Sequence, residues 1–362
     1  MGAVCEECGV PRLITRSHSW QDGCIVDRAS GNANFCVYEV GFHNALFKKV
    51  GTELGVPLDN IILNAGRRAS AQVIDDLLSA YPLLGKIAFS RPLYRLTQKM
   101  LVDFGMCIGS GKIEVIEHKK GKRGTIRVTD PYNVPHCTAI LLGSMDYMYG
   151  YPVSITVREE GDDVFIAEFL LAKRDTAVDE AFLRLASEDL KPEKSSTIDA
   201  FKTCKRCGAP RDFGSTYSFD PSKGMIIEQL NRERVVMLGV YSINSIVREF
   251  ENELGHDITD LFARTEEESF KRKLAITLLA DEMRNERDIR DYLCMRGLGM
   301  LSEMKEEGDT TYFTVENAFI PPVVAGRLLA LCEYSHGEKC TYEYTLEDNT
   351  MRLSVTPEKK PR

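Results

Sequence analysis

In the stretch "GFHNALFKKVGTELG" (41–55) the apolar positions Phe42, Leu46, Phe47, Val50 and Leu54 recur at helical spacing, and Gly55 supplies a left-handed stop. The pattern predicts one amphipathic helix. Ahead of it, "RLITRSHSW" and "GCIVDR" alternate apolar with polar positions around "QDG" and predict a hairpin. Behind it, helical spacing returns over 66–82 and 92–106. A strand pair follows, "KIEVIE" and "TIRVTD", joined by the basic tip "HKKGKRG" (118–124). A last helix starts at Pro135, a residue suited to a first helical turn. Two strands, "PVSITVREE" and "DVFIAEFLL", complete the series. Strands first, helices in the middle and strands last predict an α+β domain, an antiparallel sheet covered by helices.

The same order is written twice. Setting Cys5 on Cys204 brings Pro11 onto Pro210 and Arg12 onto Arg211, and a small slip sets "GCIVDR" against "GMIIEQ". The register then runs through the helix, with Asn44 on Asn244, Glu53 on Glu253 and Gly55 on Gly255. Near the end of each copy Pro135 meets Pro322, Tyr147 meets Tyr334 and Gly150 meets Gly337. Such a period is too long for a solenoid and implies a tandem duplication, packed as an intrachain pseudo-dimer. The expected division is copy one over 1–170, a helical then polar linker over 171–203 around "KPEKSS", copy two over 204–356, and a disordered tail over 357–362.

Composition narrows the function classes. A net charge of −8 argues against nucleic acid as the main partner, since phosphate binding relies on a basic surface. No run of uncharged apolar residues is long enough for a membrane span, and the start lacks the pattern of a secretion signal, so the expected location is cytoplasmic. The odd count of 11 cysteines, most of them single in apolar surroundings, argues against a disulfide framework. Cys107, Cys137, Cys294 and Cys332 read as small core residues.

Four cysteines stand apart, in "CEECGVPR" (5–12) and "CKRCGAPR" (204–211). A C-x-x-C-G turn converges two thiolates on one ion, and zinc takes four ligands in a tetrahedron, so each copy alone is two ligands short. Three completions compete. Cys5, Cys8, Cys204 and Cys207 together hold one structural zinc; or each knuckle recruits local ligands, for which copy one offers His18, Cys24 and Cys36; or each is a redox dithiol. Copy two has Met225 opposite Cys24 and no cysteine near the position of Cys36, which counts against two zinc sites of one design. The third lacks a βαβ context. The shared zinc is the expectation carried forward.

The closing segment "CTAILLGSMDYMYGYPVSITVREEGDDVFIAEF" (137–169), with its weaker echo at 325–356, resembles the end of the V4R, or 4-vinyl reductase-like, domain, on Cys137, Gly143, Gly150, Glu159 and Glu160. The resemblance implies a fold similar to haem-NO-binding sensor domains and to a class of vesicle-tethering subunits, and a role in binding small apolar ligands. Many V4R domains carry cysteines in and around the closing hairpin; "VREEGDDVFIAEF" and "YTLEDNTMRLSV" have none, so no metal or redox role is inherited there. The resemblance also implies a cavity between sheet and helices, which copy one would furnish with Phe42, His43, Phe47, Tyr94, Met100, His136, Met145 and Met148. Copy two answers with Ser242, Ile243 and Val323 opposite Phe42, His43 and His136, a divergence expected to leave one copy binding and the other scaffolding. Arg67 and Arg68, opposite Glu267 and Glu268, are candidates for holding a carboxylate or phosphate at the pocket mouth; solvated helix starts or contacts between copies are the plainer alternative.

Catalytic signatures are thin. "GMCIGSGKI" spaces its glycines wrongly for a phosphate loop and follows Lys112 with Ile113. The leading expectation is therefore a small-hydrophobic-ligand sensor, carrier or adaptor, with a small apolar molecule as partner, a protein partner for its output, and self-association left open. The alternatives are a component of a reductase acting on a tetrapyrrole vinyl group, although no flavin or nicotinamide motif is visible, and a ligand-free interaction scaffold.

Overall fold

The computed structural model describes residues 4–55, 58–79, 93–119, 122–150, 153–161, 163–170, 190–194, 201–254, 257–283 and 285–358. The first half runs α1 (Arg12–Ser17), β1 (His18–Gln21), β2 (Cys24–Asp27), β3 (Ala33–Glu39), α2 (Val40–Leu54), α3 (Asp59–Ser79), α4 (Tyr94–Cys107), β4 (Lys112–Lys119), β5 (Arg123–Thr129), α5 (Val134–Tyr149), β6 (Ser154–Glu159) and β7 (Val164–Leu170). The second runs α6 (Phe213–Thr216), β8 (Tyr217–Asp220), β9 (Met225–Glu228), β10 (Arg234–Gly239), α7 (Val240–Leu254), α8 (Asp257–Ile276), α9 (Leu279–Glu282), α10 (Glu286–Arg296), β11 (Met300–Glu307), β12 (Thr310–Glu316), α11 (Pro321–His336), β13 (Cys340–Glu347) and β14 (Thr350–Pro357). The chain is α+β, with antiparallel sheets.

Local chemistry explains most boundaries. Asp22 and Gly23, both with positive φ, make the two-residue turn that pairs Gln21 with Cys24. Asn133 caps α5 by accepting the amide of His136 at 2.9 Å, and Gly150 ends it in the left-handed region. The expected strand "RLITRSHSW" is shorter than its alternation suggested. Residues 12–17 coil into a short helix, because Ile14 is buried with the knuckle residues Cys5, Cys8 and Val10, and the strand begins only at His18.

Three sheets result. The two halves each carry a four-stranded sheet, ordered β4-β5-β7-β6 and β11-β12-β14-β13. Between them lies a six-stranded sheet, β1-β2-β3-β10-β9-β8, to which each half gives three strands. Its seam is the β3–β10 ladder, symmetric about Val37 opposite Met237: Phe35 pairs with Gly239 and Glu39 with Val235. Every residue of β3 is buried, as a central strand covered on both faces requires. Phe35, Val37, Val235 and Met237 face one core, around the knuckles, while Cys36, Tyr38, Val236 and Leu238 face the larger core under the long helices.

Other contacts across the seam are reciprocal in the same register. The amide of Gly299 donates to Gly23 O at 3.0 Å, and the amide of Gly111 donates to Gly224 O at 2.9 Å. A Cβ on Gly23 would collide with the Gly299 backbone, and one on Gly224 with that of Gly111. Each hairpin turn thus inserts into the other half. Of the linker, 190–194 are described: Leu190 is buried, its carbonyl accepts from Ala33 N at 2.8 Å, and Glu193 N donates to Asn317 Oδ1 at 2.8 Å. The helix expected in 171–189 and the tail 359–362 lie outside the described residues.

Candidate metal centre and cavity

The two knuckles are built alike. Cys5 N donates to Val10 O at 2.9 Å and Gly9 N to Cys5 O at 2.8 Å; Cys204 N donates to Ala209 O at 2.7 Å and Gly208 N to Cys204 O at 2.9 Å. Gly9 and Gly208 have φ of 76° and 77°, a conformation in which an L side chain is strained. The loops meet sulfur to sulfur: Cys5 Sγ lies 3.7 Å from Cys204 Sγ, and Cys8 Sγ 3.4 Å from Cys207 Sγ. All four sulfurs fall within 4.8 Å of one another, and the four cysteines are free thiols. With metal–sulfur bonds of ~2.3 Å, a tetrahedron has edges of about 3.8 Å, so the cluster matches a four-thiolate zinc site in donor type, number and spacing.

The surroundings fit as well. Glu6, beside the sulfurs, pairs with Arg206 of the opposite knuckle at 2.6 Å. Gly214 lies so close to the Cys8 carbonyl that a Cβ there would collide with it. Burial opposes the Cys5 thiolate, but the amides of Cys8 and Glu7 outweigh it and bring this thiol down to about 7, whereas burial pushes Cys8 up. Four thiolates leave no open position, so a metal here is structural. His18, Cys24 and Cys36, the local alternatives, are not in the cluster. His18 Nδ1 bonds Ser17 Oγ at 2.8 Å, and Cys36 belongs to the opposite core.

A cavity lies in the first half, between α3, α4, α5 and the seam. It offers about 80 Å³ into which the centre of a water molecule fits, and its walls are mostly apolar, including Ile74, Leu101, Phe104 and Ile140. Gly239, Leu238 and Ser242 reach into its wall from the second half.

Among the polar lining groups, three form or meet a directed chain. Asn44 Nδ2 donates to Tyr132 O at 3.0 Å, which turns Asn44 Oδ1 toward His43 Nδ1, 3.4 Å away. His43 Nε2 is 3.1 Å from His136 Nδ1, and His136 Nε2 is 2.5 Å from Ser242 Oγ. With Asn44 as acceptor the protons run one way: His43 carries Nδ1–H, His136 carries Nδ1–H, and Ser242 donates to the bare His136 Nε2. Burial holds His43 down to about 4 and His136 well below the ordinary histidine range, with the nearby His43 adding to the latter. Both rings are neutral near pH 7. Tyr132 and Ser110 also belong to the lining residues, and their buried hydroxyls have no hydrogen-bond partner among the described residues.

The residues expected to furnish a pocket are placed differently. His136 lines the cavity and His43 stands behind it. Phe42 packs edge-on against Phe270, and Phe47 against His43 and Phe262, because α2 lies on α8 of the other half. Tyr94 bonds His118 Nε2 at 2.8 Å, and Met100 packs beside Ile74 and Tyr147. Met145 and Met148 are core. Arg67 holds the buried Asp146, with Nη2 2.8 Å from Oδ1, and also Val153 O; Arg68 reaches Glu249 at 2.9 Å. The arginines are therefore ion-paired, one within the first half and one across the seam.

Sequence reading missed a buried ion network on the far side of the seam. Glu39 accepts from Arg296 at 2.9 Å, Arg327 at 2.5 Å and Lys273 at 2.7 Å. Arg327 also bonds Glu266 at 2.7 Å, which accepts from Tyr38 at 2.5 Å. Burial opposes the Glu39 carboxylate, but the three cations together hold it well below the usual range. The Lys273 ammonium also meets Glu228 at 2.6 Å and Glu233 at 3.2 Å, so this carboxylate trio already has its cation. These charges are scattered singly along amphipathic segments, and nothing in their spacing announces a cluster.

No family model, curated protein or solved structure matches this chain. Fold and site together define an α+β protein of two halves that share one sheet and one four-sulfur cluster. Among the described residues no helix is long and apolar enough to cross a membrane.

Proposed function

We propose that the chain is a tandem duplication of a V4R-like domain, clamped by one structural zinc on Cys5, Cys8, Cys204 and Cys207, that acts as a sensor, carrier or adaptor for a small hydrophobic molecule in the cytoplasm. The observation that carries the ligand reading is the cavity of the first half: apolar walls with a few buried hydroxyls are the ordinary make-up of a small-molecule site. The zinc reading is supported by the sulfur spacing, and the duplication by contacts that recur in one register. The second half, whose interior is held by buried ion pairs, suits a scaffold that presents the first.

Native mass spectrometry of chain purified without added metal tests the reading. One zinc per chain with a retained small molecule is the expected result. Two zinc ions would remove the shared clamp, and a chain that retains no molecule and takes up no apolar probe would remove the ligand role.

A further inference from the structure

The cavity has a counterpart, and the counterpart is full. The register that sets Val37 opposite Met237, and that relates the Gly23–Gly299 contact to Gly224–Gly111, assigns each lining residue an equivalent on the other side. Gly239 corresponds to Glu39, Ser242 to Phe42, Ser70 to Phe270, Val73 to Lys273, Ile108 to Arg296 and Ile140 to Arg327. In these six pairs the second member is larger, and in four of them it is charged, whereas Phe35 and His136 have the smaller equivalents Val235 and Val323. Those second members are the ion network with its aromatic floor: the Arg327 guanidinium lies 5.8 Å from the Phe42 ring centre and 5.3 Å from that of Phe270, with Glu39 bonded to it. The place that is space in one half is occupied by ion pairs and rings in the other.

We propose that the first-half cavity is the single ligand site of the chain, taking one compact, uncharged, largely apolar molecule with one oxygen-bearing polar group, and that the second half carries a built-in plug in the equivalent place. This rests on the ligand-binding reading above and specifies its site, stoichiometry and chemistry.

Size follows from the 80 Å³ of space, since one water needs roughly 10–15 Å³ by this measure; a single ring fits and a long chain does not. Neutrality follows from the walls, which among the described residues bring no charged side chain, so a carboxylate or ammonium would be buried unpaired at high cost. The oxygen follows from the hydroxyls. Tyr132 and Ser110 have protons to give and no acceptor among the described residues, and Ser242, whose own proton goes to His136, offers a lone pair. A ligand hydroxyl satisfies both kinds of group. Because Ser242 and Gly239 come from the second half, the site exists only when the halves are docked.

The test uses the zinc-loaded full chain and three ring-sized probes: cyclohexanol, methylcyclohexane and cyclohexanecarboxylate, titrated by calorimetry. Cyclohexanol should bind one per chain, the hydrocarbon about tenfold more weakly for want of the hydrogen bonds, and the carboxylate not measurably. Ser242→Phe, which copies the plug residue into the open site, should abolish binding while zinc content and circular dichroism stay as in the wild type. If that variant does not fold, Tyr132→Phe serves instead, with an expected tenfold loss. Two cyclohexanol molecules per chain, or binding unchanged in S242F or Y132F, would overturn the site. Binding that survives in S242F leaves the chain a ligand binder with its site elsewhere; no binding of any probe to the wild type, and no molecule retained from cells, sinks the ligand-binding reading with it.

Discussion

The ammonium of Lys49 lies 2.9 Å from the Glu268 carboxylate, and the same contact is made again with the charges exchanged: Arg68 lies 2.9 Å from Glu249. Position 49 corresponds to 249 and position 68 to 268, so the first half offers two bases and the second two acids at the same pair of places. Reciprocity of this kind is what a self-complementary two-fold interface produces. The exchange of sign means that neither half could pair with a copy of itself at these points without bringing like charges together.

Lys49→Glu should therefore destabilise the chain, and Lys49→Glu with Glu268→Lys should recover most of the loss. Both pairs are partly exposed, so the coupling expected from a double-mutant cycle in urea is about 0.5 kcal/mol. A coupling of zero would mean that the pair is decorative.

Removal of any one sulfur should release the whole metal. Cys204→Ser and Cys5→Ser are each expected to lose the single zinc, although they lie in different halves, and to lower stability by several kcal/mol. Zinc release followed with a chromogenic chelator, alongside thermal melting, checks both. Retention of half the metal in either variant would point to separate sites.

Acid should unfold this protein early, and histidines set the onset. Burial lowers His18 and His43 to about 4 and His136 further below its ordinary value. At these three residues the unfolded state binds more protons than the folded one below pH ~6.5, so their contribution to stability falls as pH drops from there toward 4; Glu267, which burial and the neighbouring Glu333 raise to about 7, opposes part of that loss. His43 alone accounts for about 3 kcal/mol over that window. Glu39, held low by its three cations, adds stability above the ordinary glutamate value near 4.3, lost as pH falls through its folded value. Urea unfolding at pH 7, 6 and 5 should show the decline, and His43→Gln should flatten it.

Gly224→Ala should cost more than the ~1 kcal/mol of an ordinary glycine substitution, because φ is +65° and the added methyl would meet the Gly111 carbonyl of the other half. Gly9→Ala, where no atom of the described residues lies within 4 Å of a Cβ, reports the conformational cost alone. The difference in unfolding midpoint between the two variants isolates the price of prising the hairpin turn from its socket.

Element types were largely legible from the sequence because periodicity and capping are local. The helix ending at Gly55, the Asp22-Gly23 turn and the closing hairpin stand where their spacing put them. Docking was legible at the four cysteines, since a two-ligand knuckle demands a partner, and as one of the readings of Arg68, which does reach Glu249 across the seam. The cavity walls were not. Phe42 and Phe47 read as pocket residues and Ser242 as a loss, yet α2 and α7 each lie across the seam, so Phe42 fills the far side and Ser242 opens the near one. Periodicity tells which face of a helix is buried, and it is silent about whose core receives it.

The β3–β10 ladder also sets an order of events at synthesis. Strand β3 leaves the ribosome long before β10 exists, with two largely apolar faces that the finished fold buries and an unsatisfied hydrogen-bonding edge. Until the second half arrives, that edge is open to another nascent chain, so dilution and chaperone cover during translation govern the yield of this protein as much as its final stability does.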